Sequence, residues 1–283
     1  MKEIAVISGK GGTGKTVLTA CFAALAKNAC FADCDVDAAD LHLLLHPSVK
    51  ERYEFRSGET AYINKKQCQQ CRKCIIVCRY QAISEDFTVD PILCEGCGLC
   101  TYICPVNAVC MRENLSGEWY ISSTRYGPFV HARLGIAEEN SGKLVTQVRQ
   151  SARKIAEEKN KDYVIIDGPP GIGCPVIACL ANVDLALIVT EPTLSGRHDM
   201  ERIADVTGHF GISTKVVINK YDINLKNTED IKKICRVRNI EVLAELPFSE
   251  DVSNSLVKGV PVVEFSNGQI AAEISDLWDS IKK

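Results

Sequence analysis

Eight residues near the start of the chain, Gly9-Lys10-Gly11-Gly12-Thr13-Gly14-Lys15-Thr16, leave the polypeptide little choice of fold. They follow an apolar run, Ile4 to Ile7, and lead into a stretch of helical period from about Lys15 to Lys27. A strand that turns through glycines into a helix is the first half of a βαβ unit. Such units build a mostly parallel sheet with helices on both faces. The octet fits G-x-x-x-x-G-K-[ST], and its place between strand and helix is the context that gives the pattern meaning. Its glycines let backbone N–H groups turn inward around phosphate oxygens, and the helix N-terminus adds a favourable dipole. Lys15 is then expected on the β and γ phosphates of a nucleotide, and the Thr16 hydroxyl on Mg²⁺.

The remaining pattern extends the same fold. Ala29 to Ala32 runs into Asp33-Cys34-Asp35, and Tyr163 to Ile166 into Asp167. Further strands are predicted at Leu185 to Thr190, Lys215 to Asn219 and Glu241 to Leu246, with helices at Arg197 to Phe210, Thr228 to Val237 and Asp251 to Lys258. Ser141 to Lys159 reads as a helix with Ser141 as N-cap and Leu144, Val145, Val148, Ala152 and Ile155 on one face. Parallel sheets bind ligands at the carboxyl ends of their strands. Asp35 and Asp167 are therefore site candidates, whereas Asp33, Asp37 and Asp222 read as caps of turns. The pattern breaks after about His46: Pro47 to Gln67 is polar and lacks helical period, and a block of cysteines follows. The expected fold class is α/β, a doubly wound P-loop sheet (residues 1–55 and 118–283) interrupted by a small α+β domain (56–117).

Beyond the basic motif, Lys10 is a second lysine inside the loop, and K-G-G-x-G-K-T resembles the deviant phosphate loop of the MinD/ParA/Mrp superfamily, which includes the nitrogenase iron protein. The resemblance covers nearly all of the chain outside the cysteine block. It implies ATP hydrolysis with Mg²⁺ and a nucleotide-dependent homodimer in which Lys10 reaches the partner's nucleotide. Asp33-Cys34-Asp35-Val36-Asp37 resembles switch I, which implies that Asp35 positions the attacking water. Val164-Ile165-Ile166-Asp167-Gly168-Pro169-Pro170-Gly171 resembles the Walker B strand and switch II, which places Asp167 near Mg²⁺. Asn219, in Val217-Ile218-Asn219-Lys220, resembles the family's adenine-contacting asparagine. By the same resemblance the ATP-binding residues are Gly9, Lys10, Gly11, Gly12, Thr13, Gly14, Lys15, Thr16 and Asn219.

Fifteen cysteines without an export signal do not suggest a disulfide framework. Eight of them form two runs: Cys68, Cys71, Cys74 and Cys78, then Cys94, Cys97, Cys100 and Cys104, each 26 residues after its counterpart. The offset extends to Ala82-Ile83 and Ala108-Val109, so the segment is duplicated. C-x₂-C-x₂-C-x₃-C is the spacing of bacterial-type ferredoxins, in which the fourth cysteine of each run ligates the other cluster. That resemblance implies one [4Fe-4S] cluster on Cys68, Cys71, Cys74 and Cys104, and a second on Cys94, Cys97, Cys100 and Cys78. Two zinc sites are the alternative, although zinc usually takes two C-x₂-C pairs well separated in sequence. Pro105 follows Cys104 as the pattern expects, but Arg79 stands after Cys78, where it either raises the local potential or marks a docking surface.

A net charge of −3 argues against a nucleic-acid binder and a polybasic membrane protein. No run approaches the roughly 18 to 20 apolar residues of a membrane span, and a cytoplasmic location is expected. The last helical stretch, Asn267 to Lys283, lines Ile270, Ile274, Leu277, Trp278 and Ile281 along one face and Glu273, Asp276 and Asp279 along another. It reads as a helix docked on the body of the protein, not one lying on a membrane surface. Together these features predict an ATP-hydrolysing iron–sulfur protein that couples nucleotide state and dimerisation to electron transfer with a partner protein. Cluster assembly or delivery is the alternative. Cys174 reads as a small buried residue at a helix start, and Glu138 to Lys143 as either a switch contact or a helix cap.

Overall fold

Strand β1 (Lys2–Ser8) is buried on both faces and lies at the centre of the sheet, parallel to β6 (Tyr163–Pro170) on one side and β7 (Leu185–Thr190) on the other. Ile4 stands beside Ile165 in one neighbour and Leu185 in the other. This is why these segments read as unbroken apolar runs: no strand face meets water. With β2 (Ala29–Asp33), β3 (Ser48–Ile63), β4 (Val109–Ser123), β5 (Pro128–Leu134), β8 (Thr214–Asn219) and β9 (Glu241–Leu246) the sheet has nine strands in the order β3-β4-β5-β2-β6-β1-β7-β8-β9. The run from β5 to β9 is parallel. Only four residues join β4 to β5, neighbours in the sheet, so that pair is an antiparallel hairpin. The computed structural model describes residues 1–135 and 141–282.

Chain contacts divide the protein into two units: residues 1–53, 119–133 and 141–283 in one, 54–118 and 134–140 in the other. In the first unit α1 (Lys15–Leu25), α2 (His42–Leu45), α9 (Glu250–Lys258), α10 (Val262–Phe265) and α11 (Gln269–Lys282) form one helical layer. Helices α5 (Ser141–Glu158), α6 (Cys174–Leu180), α7 (Leu194–His209) and α8 (Leu225–Val237) form the other. Strand side chains alternate between the layers: Ile4 and Val6 join the core beneath α1 and α11, whereas Ala5 and Ile7 do not. The final helix docks as its pattern predicts. Ile270, Ile274, Leu277, Trp278 and Ile281 are buried, and the Trp278 ring lies 5.3 Å from Phe22 and 5.4 Å from Tyr163.

The interruption begins with an edge strand: in Pro47 to Gln67, polar and without helical period, sixteen residues form β3, a long strand at one edge of the sheet. Its hydrogen bonds, not a buried face, hold it, since eleven of its sixteen residues are exposed and six of those are charged. Chain contacts divide the units at 53/54 and 118/119, within β3 and β4.

In the second unit, α3 (Lys73–Val77) and α4 (Leu99–Ile103) lie 26 residues apart, like the cysteines. The backbone repeats in detail. Gln70 and Gly96, Arg72 and Gly98, Gln81 and Asn107 all adopt positive φ between 50° and 72°. The halves are also tied crosswise: Asn64 donates its N–H to the Ala108 carbonyl, and Asp90 to the Ala82 carbonyl. Each half thus begins against the end of the other, which is the arrangement of a local two-fold axis.

Candidate functional site

The phosphate loop turns on Gly12 and Gly14, at φ 79° and 98°, where a side chain is disfavoured. At Gly14 space also forbids one, because an added Cβ would stand 2.4 Å from Asn219 Nδ2. That nitrogen donates to the Thr13 carbonyl at 2.8 Å, so the end of β8 braces the loop. Lys15 is buried, with Nζ 3.9 Å from Asp35 Oδ2.

Around Lys15 stand three buried carboxylates from the carboxyl ends of β2 and β6. Asp167 accepts from the Thr19 hydroxyl at 3.1 Å through Oδ1, while its Oδ2 is buried and, among the described residues, without a hydrogen-bond partner. Burial pushes its carboxyl up, opposed by the Lys15 charge and the hydroxyls of Thr16 and Thr19. Asp33 accepts backbone N–H bonds from Asp35 and Leu41, which makes it the cap of the switch turn; burial and then the Asp167 charge hold its carboxyl far above the usual range. Burial likewise pushes Asp35 up to about 6, opposed by Lys15. A hard divalent cation would favour the ionised Asp167 carboxylate against its burial, with the free Asp167 oxygen and the Thr16 hydroxyl as its protein partners.

Next to the loop is a cavity of about 210 Å³ lined by Gly12, Gly14, Asn219, Lys220, Phe248 and an apolar floor that includes Ile270 and Ile274 of α11. Its apolar walls and few polar groups suit a planar base. Asn219 lines this cavity, whereas Phe248 and the floor from α11 were not legible in the sequence. Their apolar pattern reads equally as core.

Lys10 does not project into solvent. Its Nζ lies 2.5 Å from Glu191 Oε1 and bonds the hydroxyls of Thr193 and Ser195, while Glu191 Oε2 is 3.5 Å from Lys220 Nζ. Glu191 follows β7 at the same sheet end as Asp33 and Asp167, the one signal that marks it in sequence. Cys174 corrects an expectation: it opens α6, but it is exposed, not buried. Of the Glu138 to Lys143 segment, Glu138, Glu139 and Asn140 lie outside the described residues, and Ser141 is the first residue of α5.

In the second unit, one cavity is lined by Cys78 together with Cys94, Cys97 and Cys100. The fourth cysteine of the first run therefore stands with the first three of the second. Cys68, Cys74, Cys78, Cys94, Cys100 and Cys104 all border one small core made with Ala61, Ile63, Ile83, Phe87 and Val109. Backbone N–H groups point at the sulfurs, from Ala82 to Cys78 at 3.4 Å and from Ala108 to Cys104 at 3.2 Å. Burial raises the thiols of Cys74 and Cys100, helped by Cys68 and Cys71 in one case and by Cys94 and Cys97 in the other. Desolvation acts on Cys104 too, but backbone N–H groups of residues 106 to 109 hold its thiol below the usual value. Among the described residues no three His, Cys, Asp or Glu side chains converge on a point that would hold a single metal ion. A cubane sets another test, since its cysteines sit at separate corners, one per iron.

Residues 4–262 match the family model described as the CobQ/CobB/MinD/ParA nucleotide binding domain. An uncharacterised protein of Methanocaldococcus jannaschii is 34% identical over 284 residues, 99% of this chain and 96% of its own length. The pyruvate synthase subunit PorD of Methanothermobacter marburgensis is 32% identical over 76 residues, 24% of this chain but 94% of that protein. Among solved structures, the septum site-determining protein MinD of Pyrococcus horikoshii, complexed with Mg-ADP, superposes with a TM-score of 0.61 at 17% identity, covering 100% of this chain and 96% of that one.

Proposed function

Because the chain belongs to the CobQ/CobB/MinD/ParA nucleotide-binding family, we propose that it hydrolyses ATP with Mg²⁺ and uses the nucleotide cycle to control electron transfer through two [4Fe-4S] clusters. The observation that carries the first part is the buried Asp167 oxygen, without a hydrogen-bond partner among the described residues, beside Lys15 and Thr16. Lys15 faces the β and γ phosphates, Thr16 and Asp167 hold the Mg²⁺, and Asp35 orients water for in-line attack. Asn219, Phe248 and the apolar floor contributed by α11 enclose the base.

Lys10 has a different task. An added cation at the γ phosphate stabilises charge on its equatorial oxygens, as an arginine finger does in trans. Lys10 leaves Glu191 to take that place on the nucleotide of a second copy, so the homodimer forms with ATP. The likeness to MinD bound to Mg-ADP supports the choice of nucleotide.

The redox part rests on the cavity that gathers Cys78 with Cys94, Cys97 and Cys100. The crossed hydrogen bonds between halves supply the reason: each fourth cysteine is carried to the other half's site. By the same symmetry Cys104 completes the set of Cys68, Cys71 and Cys74. Backbone N–H groups aimed at sulfur suit a thiolate ligand. The clusters supply one-electron chemistry, and the protein sets their surroundings. The match to nearly the whole of a small pyruvate synthase subunit, over a stretch the size of the second unit, supports a self-contained module.

The test is anaerobic purification followed by metal analysis and a turnover assay. About eight iron and eight acid-labile sulfides per chain are expected, with an ATPase rate that differs between oxidised and reduced protein. Tightly bound zinc without visible absorbance sinks the cluster assignment. Equal rates in both redox states sink the coupling, and release of iron to an acceptor protein during turnover would favour the delivery reading.

A further inference from the structure

The two halves of the cysteine unit share a backbone but not a surface. From Lys65 to Gln81 the first half carries five cations, Lys65, Lys66, Arg72, Lys73 and Arg79, and no carboxylate. The matching stretch, Pro91 to Asn107, carries one carboxylate, Glu95, and no cation. The five counterparts are Pro91, Ile92, Gly98, Leu99 and Pro105, so the fold itself makes no demand for charge at these places. At one of them it even opposes a side chain. Arg72 adopts φ 63° where its counterpart is a glycine at 72°, a conformation that disfavours any residue with a Cβ.

All five cations are exposed. Lys65 and Arg72 are answered by Asp86 and Glu85, which leaves Lys66, Lys73 and Arg79 as a positive excess. Two apolar side chains of this stretch also face solvent, Ile76 between Lys73 and Arg79 at 79% exposure and Tyr80 next to Arg79 at 46%. An apolar centre with a charged rim is the anatomy of a protein interface. The patch also lies where a ligand sulfur reaches the surface: Cys71 is exposed and directly precedes Arg72 and Lys73. Cys97 is exposed in the other half, but Gly98 and Leu99 follow it.

We propose that the first half is the docking face for an acidic electron-carrier protein, which exchanges electrons with the cluster on Cys68, Cys71, Cys74 and Cys104. The proposal rests on the reading of the eight cysteines as ligands of two clusters. In each encounter one electron leaves the reduced carrier and enters the oxidised cluster, and no bond is made or broken. The cations act on encounter: complementary charge raises the association rate and weakens with salt.

The experiment is anaerobic stopped-flow reduction of the purified holoprotein by flavodoxin hydroquinone, an acidic carrier, followed by bleaching of cluster absorbance. The variant is Lys66→Gln, Lys73→Gln, Arg79→Gln, checked for unchanged iron content. At low ionic strength its rate is expected to fall about tenfold, and the wild-type rate to fall by a similar factor when salt is raised to about 0.2 M. Reduced methyl viologen, itself a cation, is expected to reduce the variant at least as fast as the wild type, which shows that the clusters remain competent. Equal flavodoxin rates in the two proteins, or a wild-type rate that rises with salt, overturn the docking face while leaving the clusters in place. A protein that binds no iron overturns both the docking face and the cluster reading.

Discussion

The two units solve the problem of holding a ligand in opposite ways. The nucleotide unit is complete in itself: its central strands β1, β2, β6 and β7 are buried on both faces, and its site is the rim of a sheet that two helical layers already enclose. The cysteine unit has a core of six buried side chains, one of them Cys74, and five more cysteines pack around it. On the proposed reading, the ligands there are part of the core. The first site is built on the fold, whereas the second helps to make it.

That contrast gives its largest effect when the ligands are removed. Stripping iron with a chelator should leave the nucleotide unit folded and its nucleotide affinity within about twofold, while residues 54–118 become the preferred target of limited proteolysis. Small domains that rely on metal owe about 10 kcal/mol or more to it, far above what six buried side chains supply. A cysteine unit that stays protease-resistant without iron breaks the comparison.

The next effect runs the other way. Lys15→Ala removes the buried cation facing the phosphates and should weaken ATP binding about a hundredfold or more. Iron content should not change. Calorimetry and iron analysis on the same preparation measure both, and loss of iron in this variant would mean that the units do not hold their ligands independently.

A third effect is smaller and concerns turnover. Asp35→Ala should keep ATP affinity but slow hydrolysis about 10²-fold, since the carboxylate is asked only to orient water. The same group sets a pH dependence. Burial pushes Asp35 up to about 6, and in its ionised form both oxygens accept the hydrogen bond by which it orients water. For the wild-type protein kcat/KM should therefore hold above pH 6 and fall as acid protonates the carboxyl below it. A profile flat down to pH 5 would remove Asp35 from that role.

The same division explains what the sequence disclosed. Strands β1 and β7 were legible because burial on both faces writes an unbroken apolar run. Strand β3 was not, because an edge strand with exposed side chains leaves no such trace. In the phosphate loop the glycines announce themselves through backbone geometry that few other residues adopt. In the cysteine unit the 26-residue offset announced the repeat, but Gln70, Arg72 and Gln81 hid the left-handed turns that glycine or asparagine mark in the second half. The cavity beside the loop was hidden for another reason. Phe248 and Ile274 line a cavity with side chains that sequence alone assigns to a core.

The smallest effect concerns Glu191, which no motif contains. In this structure it holds Lys10 at 2.5 Å and Lys220 at 3.5 Å, and Lys220 in turn reaches the Gly12 carbonyl. Lys10 cannot bond Glu191 and a second subunit's γ phosphate at once, so the ion pair opposes dimerisation. Both side chains are partly exposed, at 31% and 15%, and a pair of that kind is worth about 1 kcal/mol or less. Glu191→Gln keeps the shape but removes the charge. It should lower the protein concentration for half-maximal ATP-dependent dimer by about fivefold, read by light scattering in an Asp35→Ala background that slows hydrolysis. Lys10→Ala should abolish the dimer in the same assay, and adding Glu191→Gln to it should restore nothing. If Glu191→Gln weakens the dimer instead, the carboxylate braces the loop in its binding form, and Lys10 does not need to be released.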